Sequence, residues 1–128
     1  MSSSNAEIGA VGWFDLTIPN ADELRDFYSK VIGWRPEPSS MGEYNDYVMK
    51  TPDTDRAVAG VCHARGTNKD LPPQWMIYIN VKNIDESIKT CESLGGSVLM
   101  NIKEMGEYGK YCFIKDPAGA VCALFEHK

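Results

Sequence analysis

The 128-residue sequence predicts an α+β fold made of two tandem βαβββ modules. Three observations predict it. Val11 to Ile18 alternates in polarity and runs into a helix-like stretch that opens at Asn20 and stops at Gly33, the pattern of a strand followed by a packed helix. That pattern returns from Gln74 to Gly96 at an offset set by the two asparagines, 83 − 20 = 63, which also places Met76 on Trp13 and Val81 on Ile18. Met41-Gly42-Glu43-Tyr44 recurs as Met105-Gly106-Glu107-Tyr108, an offset of 105 − 41 = 64. Two echoes at nearly one offset indicate a duplicated unit. The expected layout is a frayed terminus over 1–9, a first module over 10–64, a linker over 65–73 and a second module over 74–128. Each half alone would be marginal, so the chain is expected to act as one structural domain.

The elements follow in order. In the first strand Phe14, Leu16 and Ile18 form one face and Trp13, Asp15 and Thr17 the other. Asn20 is a candidate N-cap, Asp22 and Glu23 complement the positive end of the helix dipole, and Leu24, Phe27, Tyr28 and Val31 make an apolar stripe. Gly33 suits a C-terminal stop. Trp34 to Pro38 reads as an edge strand because its prolines cannot donate to a ladder on both sides. Tyr44 to Thr51 and Ala57 to Ala64 complete the first module. In the second, Trp75 to Val81 sets Ile77, Ile79 and Val81 against Met76, Tyr78 and Asn80. Asn83 caps a helix striped by Ile84, Ile88, Cys91 and Leu94, and strands follow over Ser97–Lys103, Tyr108–Lys115 and Ala120–Glu126. Asp116-Pro117-Ala118-Gly119 is a tight turn between the last two.

Composition narrows the function. The apolar and charged fractions, 43% and 24%, are those of a soluble globule. A net charge of −5 with no Lys/Arg cluster argues against nucleic acid as partner. No apolar run reaches membrane-spanning length, and the first residues lack the pattern of a signal peptide, so a cytoplasmic protein is expected. Cys62, Cys91, Cys112 and Cys122 have no C-x-x-C spacing and read as reduced thiols packed as small hydrophobes. No G-x-S-x-G, P-loop or G-x-G-x-x-G motif is present.

The strand followed by Asn20 and Phe27-Tyr28, the Ile32-Gly33-Trp34 stop and the terminal Asp116-Pro117-Ala118-Gly119-Ala120-Val121, taken in this order over nearly the whole chain, resemble the vicinal oxygen chelate superfamily. That group includes glyoxalase I, bleomycin-resistance proteins and extradiol dioxygenases, and the flavour here is similar to small bacterial glyoxalase-related proteins. The resemblance implies eight strands curving around a central cavity. It also implies four metal ligands, from the first and last strands of each module. Carried onto this sequence, those positions fall on Trp13, Met76, Ala123 and either Ala59 or Gly60. None is a donor for a hard or borderline divalent ion, so no metal and no cofactor are expected.

On the cavity-facing register the same resemblance leaves Trp13, Asp15, Thr17, Met76, Tyr78, Asn80, Val121, Ala123 and Phe125. This is the make-up of a small-molecule cavity, apolar and aromatic with a few polar groups. The reading is a binder of a small apolar or aromatic ligand, with a homodimer as a possible assembly. One alternative is a lyase or isomerase of the lactoylglutathione-lyase type, using a displaced metal or Asp15 and Tyr78 as an acid–base pair. Another is a structural dimeric module plugged by Trp13, Met76 and Phe125. His63 and His127 read as lone surface histidines near strand ends.

Overall fold

The structure is a computed structural model that describes residues 6–128. Its elements are β1 (Val11–Ile18), α1 (Ala21–Ile32), β2 (Arg35–Ser40), β3 (Asn45–Lys50), β4 (Ala57–His63), β5 (Trp75–Asn80), α2 (Ile84–Ser93), β6 (Ser97–Glu104), β7 (Gly109–Lys115) and β8 (Val121–His127). This is βαβββ twice, the α+β class that the repeat predicts. No described helix is long and apolar enough to cross a membrane. The chain divides into two compact units, Phe14–Trp75 and Met76–Lys128, the latter joined by the residues up to Trp13. The boundaries fall after Trp13, three residues into β1, and after Trp75, one residue into β5. The stretch 65–73 carries one 3-10 turn, Gly66–Asn68.

The register of the strands shows the duplication more directly than the sequence does. In the first unit β1 pairs parallel with β4, matching Asp15 to Gly60, Leu16 to Val61 and Thr17 to Cys62. In the second, β5 pairs parallel with β8, matching Tyr78 to Ala123, Ile79 to Leu124 and Asn80 to Phe125. Every one of these residues moves by 63 (15 + 63 = 78, 60 + 63 = 123). The strand orders also correspond, β2-β3-β4-β1 and β5-β8-β7-β6. The two echoed tetrapeptides occupy the β2–β3 and β6–β7 hairpins, closed by Met41 N–H to Tyr44 O at 2.8 Å and by Met105 N–H to Gly109 O at 2.7 Å. The change of offset arises before the hairpins: Gly33 to Met41 spans 41 − 33 = 8 positions and Gly96 to Met105 spans 105 − 96 = 9, β6 being the longer strand.

In the first unit α1 covers Leu16, Ile18, Tyr47, Met49, Ala59 and Val61, with Leu24, Tyr28, Trp34 and Trp75 packed alongside. Trp75 stacks edge-on to Tyr28 at 5.3 Å and to Trp34 at 5.8 Å, and its indole N–H donates to the Tyr28 hydroxyl at 3.2 Å. The buried stripe of α1 is narrower than expected, with Phe27 and Val31 exposed, and Phe14, expected on the core face of β1, is exposed as well. Residues three apart differ by about 60° around a helix, so Phe27 and Val31 lie on the flank of the row formed by Leu24 and Tyr28.

The two helix starts differ although both follow asparagine. Asn83 is extended (φ −141°) and its side chain accepts from Glu86 N–H at 3.1 Å, as an N-cap should. Asn20 has φ −104° and ψ 51° and makes no side-chain cap; its amide donates to Glu23 Oε2 at 3.2 Å. In the second unit Ile84, Cys112 and Leu124 form the helix-side core, with Val81, Ile88, Ile102 and Ile114 beside it. Leu94 sits at the C-cap of α2, off the stripe and exposed.

Of the expected frayed terminus, residues 1–5 lie outside the described residues. Glu7 to Ala10 are held: Gly9 N–H donates to Asn80 O at 2.8 Å, Asn80 N–H to Ala10 O at 2.9 Å, and the Asn80 amide to Glu7 O at 3.2 Å.

Candidate functional site

In the second unit the face of the sheet opposite α2 is a layered aromatic surface. Cross-strand pairing puts Ala123 between Tyr78 and Phe113, and Phe125 between Asn80 and Tyr111. The Tyr78 and Phe113 rings meet edge to face at 5.9 Å, and Tyr111 lies 6.0 Å from Tyr78 and 5.8 Å from Phe113. These rings flank the Ala123 methyl, which has no exposure. Met76, Tyr78, Asn80, Phe113 and Phe125 are buried, whereas Trp13, Tyr111, Val121 and His127 remain half-exposed. The accessible part of this face is thus a rim of two aromatic rings, one valine and one imidazole.

The corresponding face of the first unit has the same pairings and different chemistry. The row equivalent to Tyr78–Ala123–Phe113 is Asp15–Gly60–Val48. The row equivalent to Asn80–Phe125 is Thr17–Cys62, with Thr17 buried. Burial pushes the Cys62 thiol well up, and the nearby Asp15 and Asp46 carboxylates raise it further, so it is a neutral donor and not a thiolate. Asp46 also accepts the backbone N–H of His63 at 2.8 Å.

On the helix side of the first unit Asp22, Arg25, Tyr47 and His63 form a connected polar network. The Tyr47 hydroxyl donates to Asp22 Oδ1 at 2.6 Å and accepts from Arg25 Nη1 at 2.8 Å. His63 places Nε2 3.6 Å from Asp22 and Nδ1 3.5 Å from Asp46, with the Tyr44 ring edge-on at 5.2 Å. The network ties the first turn of α1 to β3 and β4. The hydrogen bond to Asp22, then burial, raise the Tyr47 hydroxyl above its usual value. Tyr47 therefore contributes stability that is full below about pH 10 and is lost as pH rises through the raised value. Tyr47→Phe is expected to lower stability by about 1–2 kcal/mol at neutral pH and to show less of this alkaline loss. Urea unfolding midpoints of both proteins between about pH 8 and 11 check it, the thiols being common to both. Parallel pH curves would refute it.

The Cys91, Cys112 and Cys122 thiols are free, and Cys112 is pushed up to about 12, chiefly by burial. These are packing residues. Among the described residues no group of three or more His, Cys, Asp or Glu is arranged to hold a metal ion.

A family model described as the Glyoxalase/Bleomycin resistance protein/Dioxygenase superfamily matches residues 10–124. The chain belongs to this superfamily. Among relatives, it is 30% identical over 122 residues to the "Putative glyoxylase CFP32" of Mycobacterium bovis, covering 92% of this chain and 46% of that protein. It is 27% identical over 128 residues to the "Anthracycline biosynthesis protein DnrV" of Streptomyces peucetius, covering 91% and 46%. The chain thus spans about half the length of these curated relatives. A solved structure of a superfamily member from Vibrio splendidus aligns with a TM-score of 0.58 at 11% identity, covering 89% of this chain and 96% of that one. At that identity it shows the fold alone.

The register makes Gly60, and not Ala59, the counterpart of Ala123, since they pair with Asp15 and Tyr78, which are themselves 63 positions apart. Of the residues expected to share the cavity register, the structure groups Met76, Tyr78, Asn80, Val121, Ala123 and Phe125 in the second unit with Trp13. Asp15 and Thr17 fall in the first unit. Sequence reasoning did not place Tyr111, Phe113 or Cys62 at the site, weighed Gly60 only beside Ala59, and read His127 as a lone surface histidine. The 63-residue offset applied to Ala123 and Phe125 yields Gly60 and Cys62. His127 follows from extending the alternation of Val121, Ala123 and Phe125 by one step.

Proposed function

We propose that this chain binds a small apolar or aromatic molecule against the aromatic face of its second unit, without the superfamily's metal centre. The observation that carries the reading is the row Tyr78–Ala123–Phe113. A carboxylate or imidazole ligand would be needed at Ala123, and that position bears a fully buried methyl between two rings in mutual contact. Trp13 and Met76 replace donors with an indole and a thioether, and Gly60 has no side chain. Such a surface favours stacking and dispersion over coordination. The half-exposed Trp13 and Tyr111 give a ligand ring its edges, and the buried Met76, Tyr78 and Phe125 give it a rigid floor.

Two measurements test this. Elemental analysis of purified protein is expected to find no stoichiometric zinc, nickel, iron or manganese. One metal ion per chain, lost on changing Asp15 or His63, would overturn the metal-free reading. Titration with 2-methoxynaphthalene, followed by the Trp13 indole N–H resonance, is expected to saturate. Trp13→Ala, followed on the Tyr78 and Tyr111 ring signals, is expected to weaken binding about two- to tenfold, the loss of one stacking contact. No saturable shift in the wild type would end the binding reading.

A further inference from the structure

At one end of the aromatic face a histidine is fixed by three independent restraints. His127 lies on the same side of β8 as Ala123 and Phe125, and its ring packs edge-on against Phe125 at 4.7 Å. Its backbone pairs with Gly109, and Lys128 N–H donates to Tyr108 O at 3.1 Å. Its Nε2 lies 3.0 Å from Asn80 Oδ1. Asn80 is almost fully buried, and its amide nitrogen is committed to the Glu7 carbonyl at 3.2 Å. That bond assigns the amide: the nitrogen faces a carbonyl, which can only accept, so the oxygen faces the imidazole. An amide oxygen also only accepts, so Nε2 must carry the hydrogen. In the neutral ring Nδ1 is then an acceptor with its lone pair uncommitted among the described residues.

We propose that Asn80 and His127 form a positioned accepting pair, in which His127 Nδ1 takes an O–H or N–H donor carried by the aromatic ligand. This rests on the reading of the aromatic face as the ligand site. The chain of restraint runs from the Glu7 carbonyl through the Asn80 amide to the imidazole. Asn80 is the positioning residue and His127 the contact. The ligand class is correspondingly a hydroxylated or amino-substituted aromatic, with its ring on the Phe125 side and its donor toward β8's end.

The test compares 2-naphthol with 2-methoxynaphthalene, which differ by the donor hydrogen and a methyl group. Wild type is expected to bind 2-naphthol about three- to tenfold tighter, the worth of one hydrogen bond. In His127→Phe the two affinities are expected to converge. Long-range proton–nitrogen correlation at about pH 8.5, where a histidine is ordinarily neutral, should show the Nε2–H tautomer with a protected proton. Asn80→Ala should lose that protection. Equal affinities in wild type, a preference that survives His127→Phe, or an Nδ1–H tautomer would overturn the proposal while leaving the binding reading intact. If neither compound binds, the binding reading fails and the ligand role of His127 fails with it.

Discussion

Phe125→Ala is expected to destabilise the protein by about 3–5 kcal/mol, the range for an aromatic ring removed from a close-packed site. Phe125 has no solvent exposure and sits in the row between Asn80 and Tyr111. Its backbone carbonyl accepts Val81 N–H at 2.8 Å, so the main chain is held while the side chain is removed. The neighbours are strand residues whose directions are set by the ladder, and they cannot close in without breaking pairs. Most of the vacated space should therefore remain. Urea unfolding should show a lower midpoint with an unchanged slope. A loss below about 1 kcal/mol would mean that the face collapses freely and is not the rigid floor described above. The same variant should broaden the His127 ring signals, since it removes the ring packed against that imidazole.

Gly109→Ala is expected to cost about 3 kcal/mol or more. Gly109 opens β7 with φ +138°, and a Cβ there would fall on the Glu126 carbonyl oxygen, with His127 Cα at 3.1 Å. Both obstacles are backbone of the paired strand β8, so neither can rotate aside. Gly119→Ala is the control. It has φ +92° but only the Lys115 Cε within reach, at 4.0 Å, and its cost should be the conformational one alone, about 1 kcal/mol. Thermal or urea unfolding of the two variants separates clash from backbone strain. Equal losses would show that the close approach of β7 to β8 at Gly109 is relaxed in solution.

Local signals found the elements because those signals are local. Alternation over Val11–Ile18 and the Gly33 stop have physical causes within a few residues, and the structure places strands and helices there. The asparagines show the limit of this. Asn83 caps α2 and Asn20 does not cap α1, although each precedes two acidic residues in the first turn, because the backbone angle at the junction differs. That angle is imposed by how each helix settles on its own strands. The apolar stripe of α1 was legible as a set, but which members are buried was not. Leu24 and Tyr28 pack against the core while Phe27 and Val31 stay exposed.

The candidate site divides in the same way. Alternation marks which residues of β5 and β8 share a face, because side chains on a strand point alternately to opposite sides. The duplication, read from one offset, then transfers that face from one module to the other. Both are properties of the sequence by itself, as is the lack of a donor for a hard or borderline divalent ion at Trp13, Met76 and Ala123. Pairing partners are not. That Ala123 lies between Tyr78 and Phe113, and that its counterpart Gly60 lies between Asp15 and Val48, depends on which strands adjoin and in what register. The Glu7–Asn80–His127 chain is furthest from the sequence, joining residues 73 and 47 positions apart. No spacing rule relates them; only the folded sheet brings a terminal turn, the end of β5 and the end of β8 within hydrogen-bond distance.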